Sequence, residues 1–276
     1  MWREQGYALE EWSHRKLHNW ILNDKIRNDA FKRAIFEVIK QGDVVLDLGS
    51  GTGYLSFLAL QAGASKVYGI EYHQNLVEEA EQKAKELKLK NKVYFVHCYS
   101  LHLDRSAIKQ VDIILSETLG FMGVGEGIVK YISDARRKWL KQNGKIIPQK
   151  IELYLIPILH PYSDGRKMKQ AMIEVRPEYF RGEVVKIGEY DLLKDVEVKI
   201  DKEFTFVLRG EKINGFGGWF RAQLSPNVTL DTSPFSSQTC WNQMFYPIGE
   251  YKGDKIKIRI ISENNNDLVS LKIEKI

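Results

Sequence analysis

The stretch 44–71, VVLDLGSGTGYLSFLALQAGASKVYGIE, constrains the fold more than any other part of the chain. A short apolar run, Val44, Val45 and Leu46, ends at Asp47, and a loop carrying Gly49, Gly51 and Gly53 leads into an apolar-faced segment over 54–62. The pattern reads as strand, glycine turn and helix. Gly63 stops the helix, and a second strand over 66–70 delivers Glu71 to its carboxyl end. Such a βαβ half opens a ligand crevice above its strand ends.

The glycine spacing narrows the ligand. A dinucleotide fold spaces its glycines G-x-G-x-x-G, so that a helix N-terminus receives a pyrophosphate. Here the pattern is D-x-G-x-G-x-G. A carboxylate at Asp47 repels phosphate and suits a cofactor with a cationic amino-acid end, while the glycines let the backbone approach it closely. Glu71 can accept both hydroxyls of a ribose, at about 1.5–3 kcal/mol for each hydrogen bond to a charged group. S-adenosylmethionine has both features and is the expected cofactor, ahead of a nicotinamide or a turn with only a structural role.

At 276 residues, 43% hydrophobic and 28% charged, the chain has the composition of a soluble globular protein and the length for one large domain or two modest ones. Its net charge of +5 is spread through amphipathic stretches such as 78–92, which is the pattern of a solvated helix face; no nucleic-acid partner is expected. No apolar run has membrane-spanning length and MWREQGYALEEW is no signal peptide, so a cytoplasmic location without membrane contact is expected. Cys98 and Cys240 lie far apart without a C-x-x-C, which argues against a disulfide framework or a metal site.

Taken in order, an aromatic and polar segment precedes a helix over 25–40 capped by Asn23 or Asp24. After the glycine turn come a helix over 74–89, a strand over 92–97 and a nearly all-apolar strand over 111–115, as a buried parallel sheet requires. That strand places Glu117 on the same rim as Asp47 and Glu71, and a helix over 127–141 with a stop at Asn143-Gly144 follows. Beyond Pro148 short alternating runs at 152–158, 203–208, 218–224, 255–261 and 268–273 read as an antiparallel sandwich or barrel. The expected organisation is α/β followed by β. Residues 1–40 form a helical segment over the cofactor site, 41–148 a Rossmann-like domain and 149–276 a barrel-like substrate domain.

The loop SETLGFMGVGE, 116–126, carries Glu117 and Glu126 nine positions apart with three glycines between them. Folded back as a hairpin it brings the acids together, and two carboxylates in one pocket repel unless a cation joins them. A planar guanidinium matches them bidentately. Methyl transfer to arginine needs this arrangement, because the delocalised lone pair must be drawn toward one nitrogen. The position after the fourth strand carries no Asn-Pro-Pro-Tyr or Asp-Pro-Pro-Tyr, the motif associated with amide and base methylation.

Over nearly its whole length the chain resembles the protein arginine N-methyltransferases. His18-Asn-Trp-Ile-Leu22-Asn-Asp24-Lys-Ile-Arg27 is similar to that family's H-x-x-M-L-x-D-x-x-R helix, 47–53 to its first motif, and Glu117 with Glu126 to its double-glutamate loop. Gly218-Trp219-Phe220, Thr239-Cys240-Trp241 and Asn264-Asn265-Asn266-Asp267-Leu268 resemble its barrel signatures. The resemblance implies that Arg27 holds the cofactor carboxylate, that His18 lines the cofactor site, that Glu71 binds the ribose and that the two glutamates clamp a substrate guanidinium. Asp24, Cys240 and Trp241 complete the catalytic set it implies. The implied substrate is a protein or another guanidino compound, and a dimer with a reduced arm, of which 168–180 is the remnant, is compatible with it.

The chain also departs from the pattern. Cys240 replaces the histidine of T-H-W, and a neutral thiol cannot make that histidine's salt bridge to the acid matching Asp24. Ile21 replaces a methionine, Tyr7 and Trp12 are the nearest matches to the family's N-terminal tyrosines, and His102 lies near the position of an adenine-contacting acid, with Ser100 as an alternative contact. His73 reads as a strand-end surface residue, His97 as a core-edge residue, Cys98 as an apolar filler and Trp139 as a packing anchor. Two other readings stand beside arginine methylation: a methyltransferase of the same scaffold acting on a small amine or guanidine, and a catalytically silent cofactor- or partner-binding protein.

Overall fold

The computed structural model describes residues 21–161, 171–197, 199–208, 210–265 and 268–276. Helix α1 (Lys25–Val38) is followed by β1 (Val44–Leu48), α2 (Tyr54–Gln61), β2 (Lys66–Glu71), α3 (Gln74–Glu86), β3 (Val93–His97), β4 (Val111–Ser116), α4 (Ile128–Trp139) and β5 (Leu140–Ile147). The five strands form one parallel sheet in the order β3-β2-β1-β4-β5. The order reverses between β1 and β4, so their carboxyl ends splay apart there and leave a crevice. β1 and β4 are buried almost throughout, which is why they read as continuous apolar runs.

The remaining strands are antiparallel. β6 (Lys150–Ile158), β7 (Ala171–Ile173), β8 (Val185–Asp191), β10 (Lys212–Ser225) and β12 (Gln243–Lys252) pair in the order β7-β12-β10-β6-β8, with β11 (Val228–Asp231) on β10. A second sheet holds β9 (Asp201–Val207), β13 (Lys255–Asn265) and β14 (Leu268–Lys275) in the order β14-β13-β9. The expected α/β plus β organisation is present, with the β part paired as two sheets. One hydrophobic core joins both parts, through Phe31 and Ile35 of α1, Leu46 and Ile114 of the parallel sheet, and Leu153, Phe216 and Phe220 of the antiparallel one. Glu37 of α1 also accepts hydrogen bonds from Ser225 Oγ (2.9 Å) and Asn227 Nδ2 (3.1 Å).

One element differs from the sequence expectation. Helix α4 ends at Trp139, and Asn143-Gly144 lies inside β5. The register jumps from Leu140 to Lys145 opposite Val111 and Ile113, and a Cβ on Gly144 would stand 2.4 Å from Leu140 Cδ1 and 3.0 Å from the Asp112 carbonyl. The glycine marks a bulge pressed onto β4, which from sequence looks like a helix stop. In the stretch 168–180, the described part adds edge strand β7 to β12 and a 3₁₀ turn, Pro177–Tyr179. Trp139 is the anchor expected: it is fully buried and donates from Nε1 to the Arg105 carbonyl at 3.0 Å.

Asp47 sits beneath the glycine turn, 1% exposed, with Oδ2 accepting from Ser56 Oγ of α2 at 2.6 Å and Oδ1 without a partner among the described residues. Burial pushes its carboxyl up to about 7, helped by the charges of Glu71 and Glu117 and opposed by the Ser56 hydroxyl. The folded protein therefore keeps a proton that the unfolded chain releases near pH 3.9, so this group's contribution falls as pH rises from about 4 to about 7. Asp47→Asn keeps an acceptor for Ser56. It should flatten that fall, by about 2–3 kcal/mol between pH 5 and pH 8, in urea unfolding compared at those two pH values; an unchanged slope would mean that Asp47 ionises normally.

Candidate active site

The site begins with a helix cap. Asp24 lies in extended backbone before α1 and accepts from Arg27 N at 2.9 Å, while its other oxygen, Oδ2, accepts from the backbone N–H of Cys240. One carboxylate thus starts the helix and ties it to the 239–241 loop. One turn in, Arg27 is 5% exposed, donates from Nε (3.0 Å) and Nη2 to Glu117 Oε2, and donates from Nη1 to Asn28 Oδ1 at 2.7 Å. Burial alone would lower the guanidinium's pKa; Glu117 outweighs it and raises it.

The acidic loop folds back as its glycines suggest. Gly120 has φ +58°, and a Cβ there would stand 2.7 Å from Glu126 Cγ, so only glycine lets the loop close on the second acid. Gly125 N donates to the Phe121 carbonyl at 2.9 Å and Gly127 N to that of Val124 at 3.1 Å. The tip is wedged against β10: a Cβ on Gly123 would meet Phe220 at 2.7 Å, and one on Gly218 would meet Met122 Sδ at 2.9 Å. Met122 is held at φ 53°, a conformation a non-glycine residue adopts only when its surroundings dictate it.

As a result Glu117 and Glu126 line one cavity of about 250 Å³, together with Arg27, Gly49, Gly51 and Glu71. Burial raises the Glu117 carboxyl, Arg27 opposes the rise and Asp24 adds to it. Glu126 is lifted well above the usual carboxylate range, first by burial and then by the charge of Glu117. The two acids differ in one respect: Arg27 is bonded to Glu117.

At the other end of the cavity, Gly49 has φ +69° and a Cβ on it would stand 2.5 Å from Thr118 Cγ2, so the turn and the acidic loop meet with no room for a side chain. Glu71, 7% exposed, accepts from Gly51 N at Oε2 (3.0 Å) and from His73 N (2.8 Å) at Oε1, where the His73 ring Nδ1 also lies at 2.9 Å. Burial pushes the Glu71 carboxyl up, but these hydrogen bonds outweigh it and hold the group below its ordinary value. Ser100 also lines the cavity, from the 3₁₀ turn after β3.

Not every expected site residue reaches this cavity. Asp47 does not line it, because the glycine turn runs between them and its carboxylate faces Ser56. Gly53 is the left-handed N-cap of α2, and a Cβ there would stand 2.6 Å from Phe95 Cζ; its glycine is required by packing. His102 is exposed and stacks edge-on against the outer side of Tyr99 at 5.0 Å, so Ser100 is the one of that pair on the cavity. Asp24 caps α1 without lining the cavity and accepts from the Cys240 N–H, so its bond to this loop needs no side chain at 240. Cys240 and Trp241 both line the cavity, and Trp241 also packs edge-on to Phe220 at 5.5 Å. Burial and the charges of Glu117 and Asp24 push the Cys240 thiol far up, so it keeps its proton. His18, Tyr7 and Trp12 lie outside the described residues, as do Asn266 and Asp267.

Other residues prove closer to the site than sequence suggested. His73, 14% exposed at its side chain, lines the cavity, as do half-buried Cys98, Tyr99 and Tyr131; His97 is exposed and meets the Tyr72 carbonyl at 2.9 Å. The signal for His73 was its place two residues after a strand-end acid, where backbone and ring turn back together. For Tyr99 and Tyr131, which meet edge-on at 5.9 Å from different elements, no local signal exists.

Residues 39–184 match the family described as Methyltransferase domain. The chain is 30% identical to the histone-arginine methyltransferase CARMER of Drosophila persimilis over 89% of its own length and 53% of that protein's. It is likewise 30% identical to the probable protein arginine N-methyltransferase 6.1 of Oryza sativa subsp. indica over 82% of its length and 67% of that protein's. The chain thus spans about half the length of the Drosophila relative. In fold it matches Arabidopsis thaliana protein arginine methyltransferase 10 (TM-score 0.85, 21% identity, 97% of this chain and 95% of that one). It also matches a chain of the Trypanosoma brucei PRMT1 enzyme–prozyme complex with AdoHcy (TM-score 0.83, 20% identity, 96% and 95%). Sequence likeness across two thirds of the rice protein, on a fold shared almost end to end with these structures, makes this chain a member of the protein arginine N-methyltransferase family.

Proposed function

We propose that the chain methylates a guanidinium nitrogen of arginine in a protein, with S-adenosylmethionine as the donor. The observation that carries this is the convergence of Glu117 and Glu126 on one cavity beside the glycine turn. Relatives named as histone-arginine and protein arginine methyltransferases support the substrate class. The residues present fit the cofactor: Glu71 offers an acceptor for a ribose, Gly49 and Gly51 a bare backbone wall, and Arg27 a cation for a carboxylate. When bound, S-adenosylmethionine supplies an electrophilic methyl group on a sulfonium. Two cysteines held free support a reducing, cytoplasmic setting, and no helix of the described residues is long and apolar enough to cross a membrane.

The chain's own residues then divide the work. Glu126, lacking the arginine bonded to Glu117, takes the substrate guanidinium most strongly, and Glu117, fixed by Arg27, sets its plane. Held this way, the guanidinium's positive charge is drawn toward the acids and away from the nitrogen that attacks. Alkylation of that nitrogen releases one proton, and the raised Glu126 carboxylate can receive it. The protonated Cys240 thiol cannot.

Glu117→Gln should leave affinity for S-adenosylhomocysteine nearly intact and reduce turnover by about 100-fold or more; calorimetry and a radiolabel assay on arginine-rich peptides check the two halves, and wild-type turnover would rule out the clamp. Because a guanidinium needs Glu126 ionised, kcat/KM for the peptide should rise with pH through a midpoint above the ordinary glutamate value near 4.3. Glu126→Gln should remove that limb from the pH profile. The same assay run on free guanidino compounds tests the substrate class: label on them alone would replace protein arginine with a small molecule.

A further inference from the structure

Glu71 is more fully committed than a ribose acceptor needs to be. A carboxylate has about four acceptor sites, two on each oxygen. On Glu71, Oε1 faces both the backbone N–H and the ring Nδ1 of His73 at 2.8 and 2.9 Å, and Oε2 accepts from Gly51 N at 3.0 Å. With Nδ1 protonated, three of the four sites are taken and the fourth is on Oε2. The ring is itself held, edge-on to Tyr72 at 5.3 Å, with its side chain 14% exposed and lining the same cavity.

We propose that His73 is a positioning residue for the cofactor: its ring occupies Glu71 Oε1, fixes the carboxylate's rotation, and leaves Oε2 as the one acceptor for a ribose hydroxyl. This rests on the S-adenosylmethionine reading and deepens it, replacing a two-hydroxyl grip on Glu71 with a single, pre-aimed one. A carboxylate held at both oxygens loses little rotational freedom when the ligand arrives, so the one remaining hydrogen bond is formed at low entropic cost. Without the ring, Oε1 regains an open site, and the carboxylate can turn to meet either hydroxyl less firmly.

The test is equilibrium binding by calorimetry of S-adenosylhomocysteine and its 2′-deoxy and 3′-deoxy analogues to wild type, His73→Ala and His73→Asn. In wild type, one deoxy analogue should bind about tenfold more weakly than the parent and the other almost as well, the loss of one hydrogen bond to a charged group. In His73→Ala the parent should bind about tenfold more weakly and the difference between the two analogues should shrink. His73→Asn, which can still donate from a side-chain N–H, should recover part of both. Parent affinity and analogue preference unchanged in His73→Ala, with an unchanged melting temperature, would overturn the assignment. So would equal, large losses for both analogues in wild type. Failure of wild type to bind the parent at all would instead remove the cofactor reading, and this inference with it.

Discussion

Two half-buried acids and one buried cation organise the site. Glu117 has Arg27 against it, whereas Glu126 meets the charges of Glu117 and Glu71, opposed by Arg27 from further off. An ionised carboxylate in that position is expensive, and the pocket relieves it by keeping a proton or by admitting a positive group. The site is therefore biased toward a cation, and Arg27 leaves the bias unsatisfied at one glutamate only. Were both acids paired within the protein, the cavity would have little electrostatic reason to take a guanidinium.

Keeping two like charges close requires a scaffold that does not yield, and both halves of the molecule supply it. The parallel sheet fixes Glu117 at the end of β4, where Ser116 Oγ donates to the Leu48 carbonyl of β1 at 2.9 Å. The antiparallel sheet holds the rest of the loop, through Phe220 on Gly123 and through Gly218 beneath Met122. Helix α1 closes the arrangement from the side: its cap reaches Cys240 N and its first turn carries Arg27. A residue larger than glycine at 120, 123 or 218 would push the second acid away from the first. Position along the chain and position in the cavity are thus linked by steric limits at three glycines.

Much of this was legible because it is periodic or local. The β1-α2-β2 unit shows in a run, a glycine cluster and a second run, and Glu71 and Glu117 fall at strand ends that apolar runs define. The acids' return to one cavity was readable from loop length and glycine content. What failed depended on contacts that neither apolar periodicity nor glycine content encodes. Asn143-Gly144 looks like a helix stop because the bulge that uses it is set by Asp112, on another strand. Asp47 looks like a ligand because its type and motif place it beside the turn, whereas the side of the backbone it faces is fixed by Ser56. His73 reads as a surface residue until the return of its own backbone to Glu71 is seen.

The thiol at residue 240, where the family resemblance leads one to expect a histidine, has a similar explanation. A side-chain salt bridge between α1 and the 239–241 loop would constrain the residue type at 240, but Asp24 takes the backbone N–H there, which every residue except proline offers. The loop can therefore stay docked with a thiol at this position, and the Trp241 wall of the cavity stays in place with it. The thiol is also not basic: with its proton held by burial and by two nearby acids, Cys240 adds no negative charge to a cavity already lined by Glu71, Glu117 and Glu126. In the proposed reaction the neutral thiol leaves Glu126 to receive the proton, so acid–base work and substrate recognition would converge on one carboxylate.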